Sequence, residues 1–154
     1  MIIFNPVLLL LAFLSLRIGR GQNTCRPEDD AAACVIDGFV GTKVIYEDAQ
    51  VKVWNFTLAP GETTSMHRHD CSYHFVAIQP TELEVYGASG ARLFSFQAQG
   101  TLGFSIEGEE LVQDAPVGSD ESFRPIRVPR IHAARNIGAA NYYEILFESK
   151  TKCV

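Results

Sequence analysis

The whole imidazole inventory of this 154-residue chain is His67, His69, His74 and His132. Three of the four fall in one short stretch, His67-Arg68-His69-Asp70-Cys71-Ser72-Tyr73-His74. On an extended strand, residues two apart project from the same face, so His67 and His69 stand side by side. Two adjacent imidazoles can hold a borderline divalent cation, with nitrogens about 2.0–2.1 Å from the ion. His74 has the wrong parity for one straight strand, but a turn or bulge at Asp70 to Ser72 could bring it to the same centre. His132, from a later strand, would close the site. Unrelated rim histidines would be scattered along the chain. Gathering them in one HxH cluster with a single later partner favours one divalent transition metal held by His67, His69, His74 and His132.

Beside His132, the stretch FRPIRVPRIHAAR concentrates Arg124, Arg127, Arg130 and Arg135. Guanidinium groups at the mouth of a metal pocket would suit a carboxylate-bearing substrate. The plainer reading, which we favour, is a solvated rim offset by the acidic stretch 109–121. The motif contains no obvious carboxylate base, and Glu62, Asp70 and Tyr73 are the candidates close in sequence. A serine or cysteine nucleophile is the poorer reading, because the histidines gather for a metal rather than pair with a hydroxyl.

These residues need strands to position them. Short β-type runs fill the chain from Lys43 onward: 43–47, 50–58, 72–78, 82–87, 91–96, 101–108, 121–128, 132–137 and 141–148. Gly, Pro and Asp separate them at roughly ten-residue spacing, the pattern of an antiparallel sandwich or barrel. Residues 109–121 read as an acidic surface loop. Of Tyr73, Phe75, Val76 and Ile78, only alternate members can face the metal.

The chain has a one-domain length and is 47% hydrophobic, enough for a single core. Val7 to Leu16 is an apolar run of signal-peptide length, and Gly19-Arg20-Gly21 offers a small-x-small cleavage pattern. The expected organisation is a signal peptide over 1–21, a leader over 22–42, a β domain over 43–148 and a tail over 149–154. The alternative for the N-terminus is an uncleaved membrane anchor. Cleavage leaves no stable membrane association and a secreted product. Loss of Arg17 and Arg20 also leaves 11 basic against 18 acidic residues, a net charge near −7 that argues against a nucleic-acid partner. Cys25, Cys34, Cys71 and Cys153 fit an oxidising compartment and allow three complete pairings. A staple between the ends of the domain is one expectation, and Cys71 was a candidate free thiol or soft ligand. Asn55-Phe56-Thr57 matches a glycosylation sequon inside a strand-like run.

With these residues in view, the chain resembles the cupin superfamily. Gly61, His67, His69 and Gly87 stand at the positions of its first motif, a glycine, five residues, HxH, a short gap, usually a glutamate, then a glycine. His74 stands where the glutamate usually does. Pro129, His132 and Asn136 fit the second motif in outline. The likeness runs from about Lys43 to Glu148, and WNFTLAPGETTSMHRHD looks like the small one-domain cupins associated with β-alanine degradation.

The resemblance implies an all-β fold, a single conical antiparallel β-barrel of jelly-roll type, with the metal inside its mouth. It also implies a homodimer through an edge strand. Four neutral histidines would leave the full charge on the ion, making it a stronger Lewis acid than a histidine–carboxylate site. That set favours zinc or iron, with nickel, copper or manganese as further candidates. Cupins include dioxygenases, lyases and isomerases alongside binding proteins, so the fold does not fix the reaction. The expected function is a metal-dependent enzyme acting on a small oxygenated, anionic molecule. A non-catalytic extracellular metal- or ligand-binding protein is the alternative, and an open coordination position beside a pocket separates the two.

Overall fold

A computed structural model describes residue 36 and residues 38–154. The segment read as signal peptide, together with Cys25 and Cys34, lies outside the described residues.

All the regular structure there is β. The strands are β1 (Lys43–Glu47), β2 (Val51–Leu58), β3 (His67–Arg68), β4 (Cys71–Gly87), β5 (Arg92–Glu107), β6 (Glu110–Gln113), β7 (Arg127–Pro129), β8 (Ile131–Asn136) and β9 (Tyr142–Cys153). Pairing is antiparallel in the order β1-β2-β9-β4-β5-β6-β7, and β8 joins β4 to β3. The all-β, antiparallel architecture expected from the spacing is thereby met.

Two long strands build the barrel. The first part of β4 pairs with β9 as far as Gln79, and the same edge then passes to β8, where Leu83 to Gly87 face Asn136 to His132. The changeover falls at Ile78-Gln79-Pro80, which are exposed, and Pro80 has no N–H for a ladder bond. β5 follows β4 throughout, with a register shift opposite this point and Gly100 at φ +68°. The runs read separately as 72–78 and 82–87, and as 91–96 and 101–108, are therefore single bent strands. Two further boundaries differ from the sequence reading. The acidic stretch contains β6, because Leu111 and Val112 are buried against the barrel. The last strand continues to Cys153, so residues 149–153 belong to the sheet.

Inward positions alternate as a half-buried sheet requires. On β2 they are Trp54, Phe56 and Leu58, on β4 Tyr73 and Phe75, and on β9 Tyr142, Glu144, Leu146 and Glu148. Val40, from the expected leader, joins the main core cluster with Trp54 and Phe104. One disulfide among the described residues links Cys71, at the start of β4, to Cys153, at the end of β9. Cys71 is thus neither a free thiol nor a soft metal ligand.

Candidate metal centre

His67 and His132 face each other across the short β3–β8 pair. His69 follows β3 directly, and its ring lies 5.1 Å from that of His67 and 5.0 Å from that of His132. The three side chains are buried, at 3%, 2% and 8% exposure for His67, His69 and His132. Each offers one ligand atom, and these atoms lie within 4.8 Å of one another. Three neutral imidazoles at such spacing could hold a metal ion.

The backbone orients two of the rings. The Nδ1 of His67 is 2.9 Å from the Ser65 carbonyl oxygen, and that of His132 is 2.8 Å from the Pro129 carbonyl oxygen. A carbonyl oxygen only accepts, so each Nδ1 carries the proton and each neutral ring keeps its lone pair on Nε2. Burial is the main reason His132 is pushed down to about 3, with the neighbouring His67 adding to the effect against its bond to Pro129. Burial likewise pushes His69 well below the usual histidine range, helped by His132, His67 and Arg130. Both rings are therefore neutral near pH 7, the form that binds metal. Among buried side-chain polar atoms of the described residues, the Nδ1 of His69 alone lacks a hydrogen-bond partner. A ring so placed, in a cluster of like rings, is built for something other than protein contacts. The residues fit a divalent transition metal.

His74 is not brought to this centre. The chain breaks between β3 and β4, so strand parity restarts at Cys71 and turns Tyr73 and Phe75 inward. The side chain of His74 is 59% exposed on the outer face, with Nε2 3.6 Å from Asp114 Oδ2. It lies over Gly103 of β5, where an added Cβ would come within 2.5 Å of the ring. Of the four nominated histidines the structure brings His67, His69 and His132 together and leaves His74 apart. The inward neighbour of His74 is Tyr73, whose ring stacks on His69 at 4.5 Å. Burial, and after it Glu144 and Glu148, drive the Tyr73 phenol far upward, so it stays protonated and does not serve as a resting base.

The other nominated residues serve the frame. Glu62 accepts from the Ala59 N–H at 2.7 Å. Asp70 accepts from Arg68 and from Arg130. Arg127 pairs with Glu107 and Glu110, and Arg124 donates to backbone carbonyls of its own loop. None of the four arginines lines the two clefts that reach the histidines. Arg124, Arg127 and Arg135 are exposed as the solvated-rim reading requires, whereas Arg130, its side chain 11% exposed, is a brace. Motif residues also brace the site. The Gly61 N–H donates to the Asn136 carbonyl, and the Asn136 N–H donates to the Glu62 carbonyl. The fully buried Asn136 amide donates to Leu58 O and Ala140 O, and its Oδ1 accepts from Gly138 N and Thr81.

Two spaces meet the histidines. A cavity of about 60 Å³ inside the barrel is lined by the three rings, Tyr73, Glu144 and apolar side chains. A larger cleft of about 270 Å³ reaches His67 past Thr57, Thr63, Thr64 and Ser65. Glu144 escaped the sequence reading, although an acid at the parity of Tyr142 and Leu146 in an apolar strand is a usable signal.

Residues 32–104 match the model of a family described as auxin binding protein. Among solved structures, a cupin domain from Bordetella pertussis Tohama I is 18% identical with a TM-score of 0.47, covering 75% of this chain and 97% of its own. A conserved protein with a double-stranded β-helix domain from Klebsiella pneumoniae is 14% identical at 0.44, covering 72% and 76%. A cupin superfamily protein from Desulfitobacterium hafniense is 12% identical at 0.40, covering 85% and 98%. No curated protein matches the chain. The HxH motif, the histidine-lined all-β barrel and the matched family model are together similar to what the cupin superfamily shows.

Proposed function

We propose that this protein binds one divalent transition metal through His67, His69 and His132 and uses it to hold a small oxygenated, anionic molecule. The observation that carries the reading is the enclosed triangle of three buried histidines opening onto a hydroxyl-lined cleft. Three protein ligands leave coordination positions for water or a ligand oxygen. Among the described residues no Lys or Arg lines either space, so the metal is the positive group that an anionic oxygen would meet there. Zinc and iron suit an all-imidazole set best, ahead of nickel, copper and manganese. The description of the matched family names a small-molecule binding function, which supports a small organic acid as ligand.

Catalysis is the second reading, favoured by those open positions beside a pocket and by the acid Glu144 in the same cavity. A lyase or isomerase would need the metal as Lewis acid, and a dioxygenase would need iron. Secretion is supported by the Cys71–Cys153 disulfide and the apolar N-terminal run. Pairing of two copies through an edge strand completes the proposal.

The test uses untagged protein from a secretory host. Elemental analysis should find about one transition metal per chain, and small carboxylates should bind the loaded protein and be lost on chelation. A chain that takes up no metal, or binds the same acids equally well after chelation, overturns the reading.

A further inference from the structure

We propose that Glu144 supplies the counter-charge for a cation held by His67, His69 and His132, doing from β9 what a motif carboxylate would do from β4. The inference rests on the metal reading above. Glu144 lines the same cavity of about 60 Å³ as the three histidines, and only 6% of it is exposed. Its carboxyl has one hydrogen-bond donor among the described residues, the hydroxyl of Tyr142, and no cationic partner. A carboxylate in such a place is costly unless something positive enters the cavity.

The titratable groups placed around it are Tyr142 on its own strand, Tyr73 on β4 and the three histidines that line the same cavity. Both tyrosines keep their protons, and among the described residues no Lys or Arg lines the cavity. Burial pushes Glu144 up to about 8, against the opposing bond from Tyr142. In the metal-free barrel it is therefore a neutral acid at pH 7. A divalent ion in the same enclosed space favours the carboxylate, so loading should drive its proton to solvent. The balance is simple: the cation enters, one O–H bond of Glu144 breaks, and one proton leaves.

The experiment is a zinc titration of the full chain by calorimetry near pH 6.5, in two buffers of different ionisation enthalpy. Wild type should release about one more proton per zinc than Glu144→Gln. From pH 6 to 7 its Kd should fall about tenfold more than that of the variant. Glu148→Gln should keep the wild-type count, and loss of the extra proton there instead overturns the assignment. Equal counts in wild type and Glu144→Gln also overturn it, while leaving the metal reading intact. Wild type that takes up no zinc overturns both. Should Glu144→Gln misfold, infrared spectra of wild type decide. The carbonyl stretch of a protonated carboxylic acid should disappear on loading, and its persistence overturns the proposal.

Discussion

Arg130 and His69 are tied to each other twice. The His69 N–H donates to the Arg130 carbonyl at 3.0 Å, and the Arg130 Nε donates to the His69 carbonyl at 2.9 Å. A second guanidinium nitrogen reaches Asp70 at 3.0 Å. The two segments that carry the histidines, one ending β3 and one entering β8, are thereby fixed against each other.

Arg130 is thus a positioning residue, and Arg130→Ala should weaken zinc binding about tenfold or more, as loss of supporting groups around metal ligands typically does. Arg130→Lys should recover little, because an ammonium cannot place two donors in a planar fork. Competition titration with a zinc indicator measures both variants, and unchanged affinity in Arg130→Ala would refute the brace.

His74 and His67 should part company on mutation. The exposed His74 ring lies on the outer face, so His74→Ala should bind zinc like wild type and shift stability by no more than about 0.5 kcal/mol. His67→Ala should lose most of the affinity, because two imidazoles remain of three. A large loss in His74→Ala would return that ring to the metal sphere.

The histidine triangle was legible because HxH spacing obeys strand parity and His132 had no competitor for the partner role. His74 was misread for a physical reason: the strand breaks after Arg68 and restarts at Cys71, which resets parity without any Gly or Pro to announce it. Pro80 and Gly100 misled in the opposite direction. They look like strand ends, yet Pro80 marks where β4 passes from β9 to β8, and Gly100 sits at the register shift of β5 against β4. β6 was hidden by its charges, since only Leu111 and Val112 betray a buried pair. The disulfide was beyond sequence reasoning because pairing depends on where β4 and β9 meet. Glu144 is legible only from its parity with the buried Tyr142 and Leu146 on β9.

The Cys71–Cys153 link spans 82 residues and joins neighbouring positions of β4 and β9. Such a link restricts the denatured chain, and native disulfides typically contribute about 2–4 kcal/mol. The double variant Cys71→Ser/Cys153→Ser should melt about 5–10 °C lower while keeping zinc affinity in the folded state. Thermal melts with and without reductant test this, and a reductant-insensitive wild type would contradict it.

Glu144 makes the metal-free barrel sensitive to alkali, and the sign follows from where its proton sits in each state. Unfolded, the carboxyl titrates near 4.5, and folded it holds its proton up to about 8. Below pH 4.5 both states are protonated, so the group contributes no pH dependence. Between 4.5 and 8 the unfolded state sheds a proton that the folded state retains, so this contribution to stability falls steadily as pH rises. Above 8 both states are ionised, and the full cost of the buried charge remains. Glu144→Gln keeps the shape and a hydrogen-bonding oxygen while removing that titration. The metal-free variant should melt several degrees above wild type at pH 8, and the gap should narrow toward pH 4.5. Excess zinc should close most of the gap at pH 8, because the bound cation stabilises the wild-type carboxylate and not the amide. Parallel melting curves at pH 4.5 and pH 8, with no pH-dependent gap, would show that Glu144 ionises in the folded barrel as freely as in water.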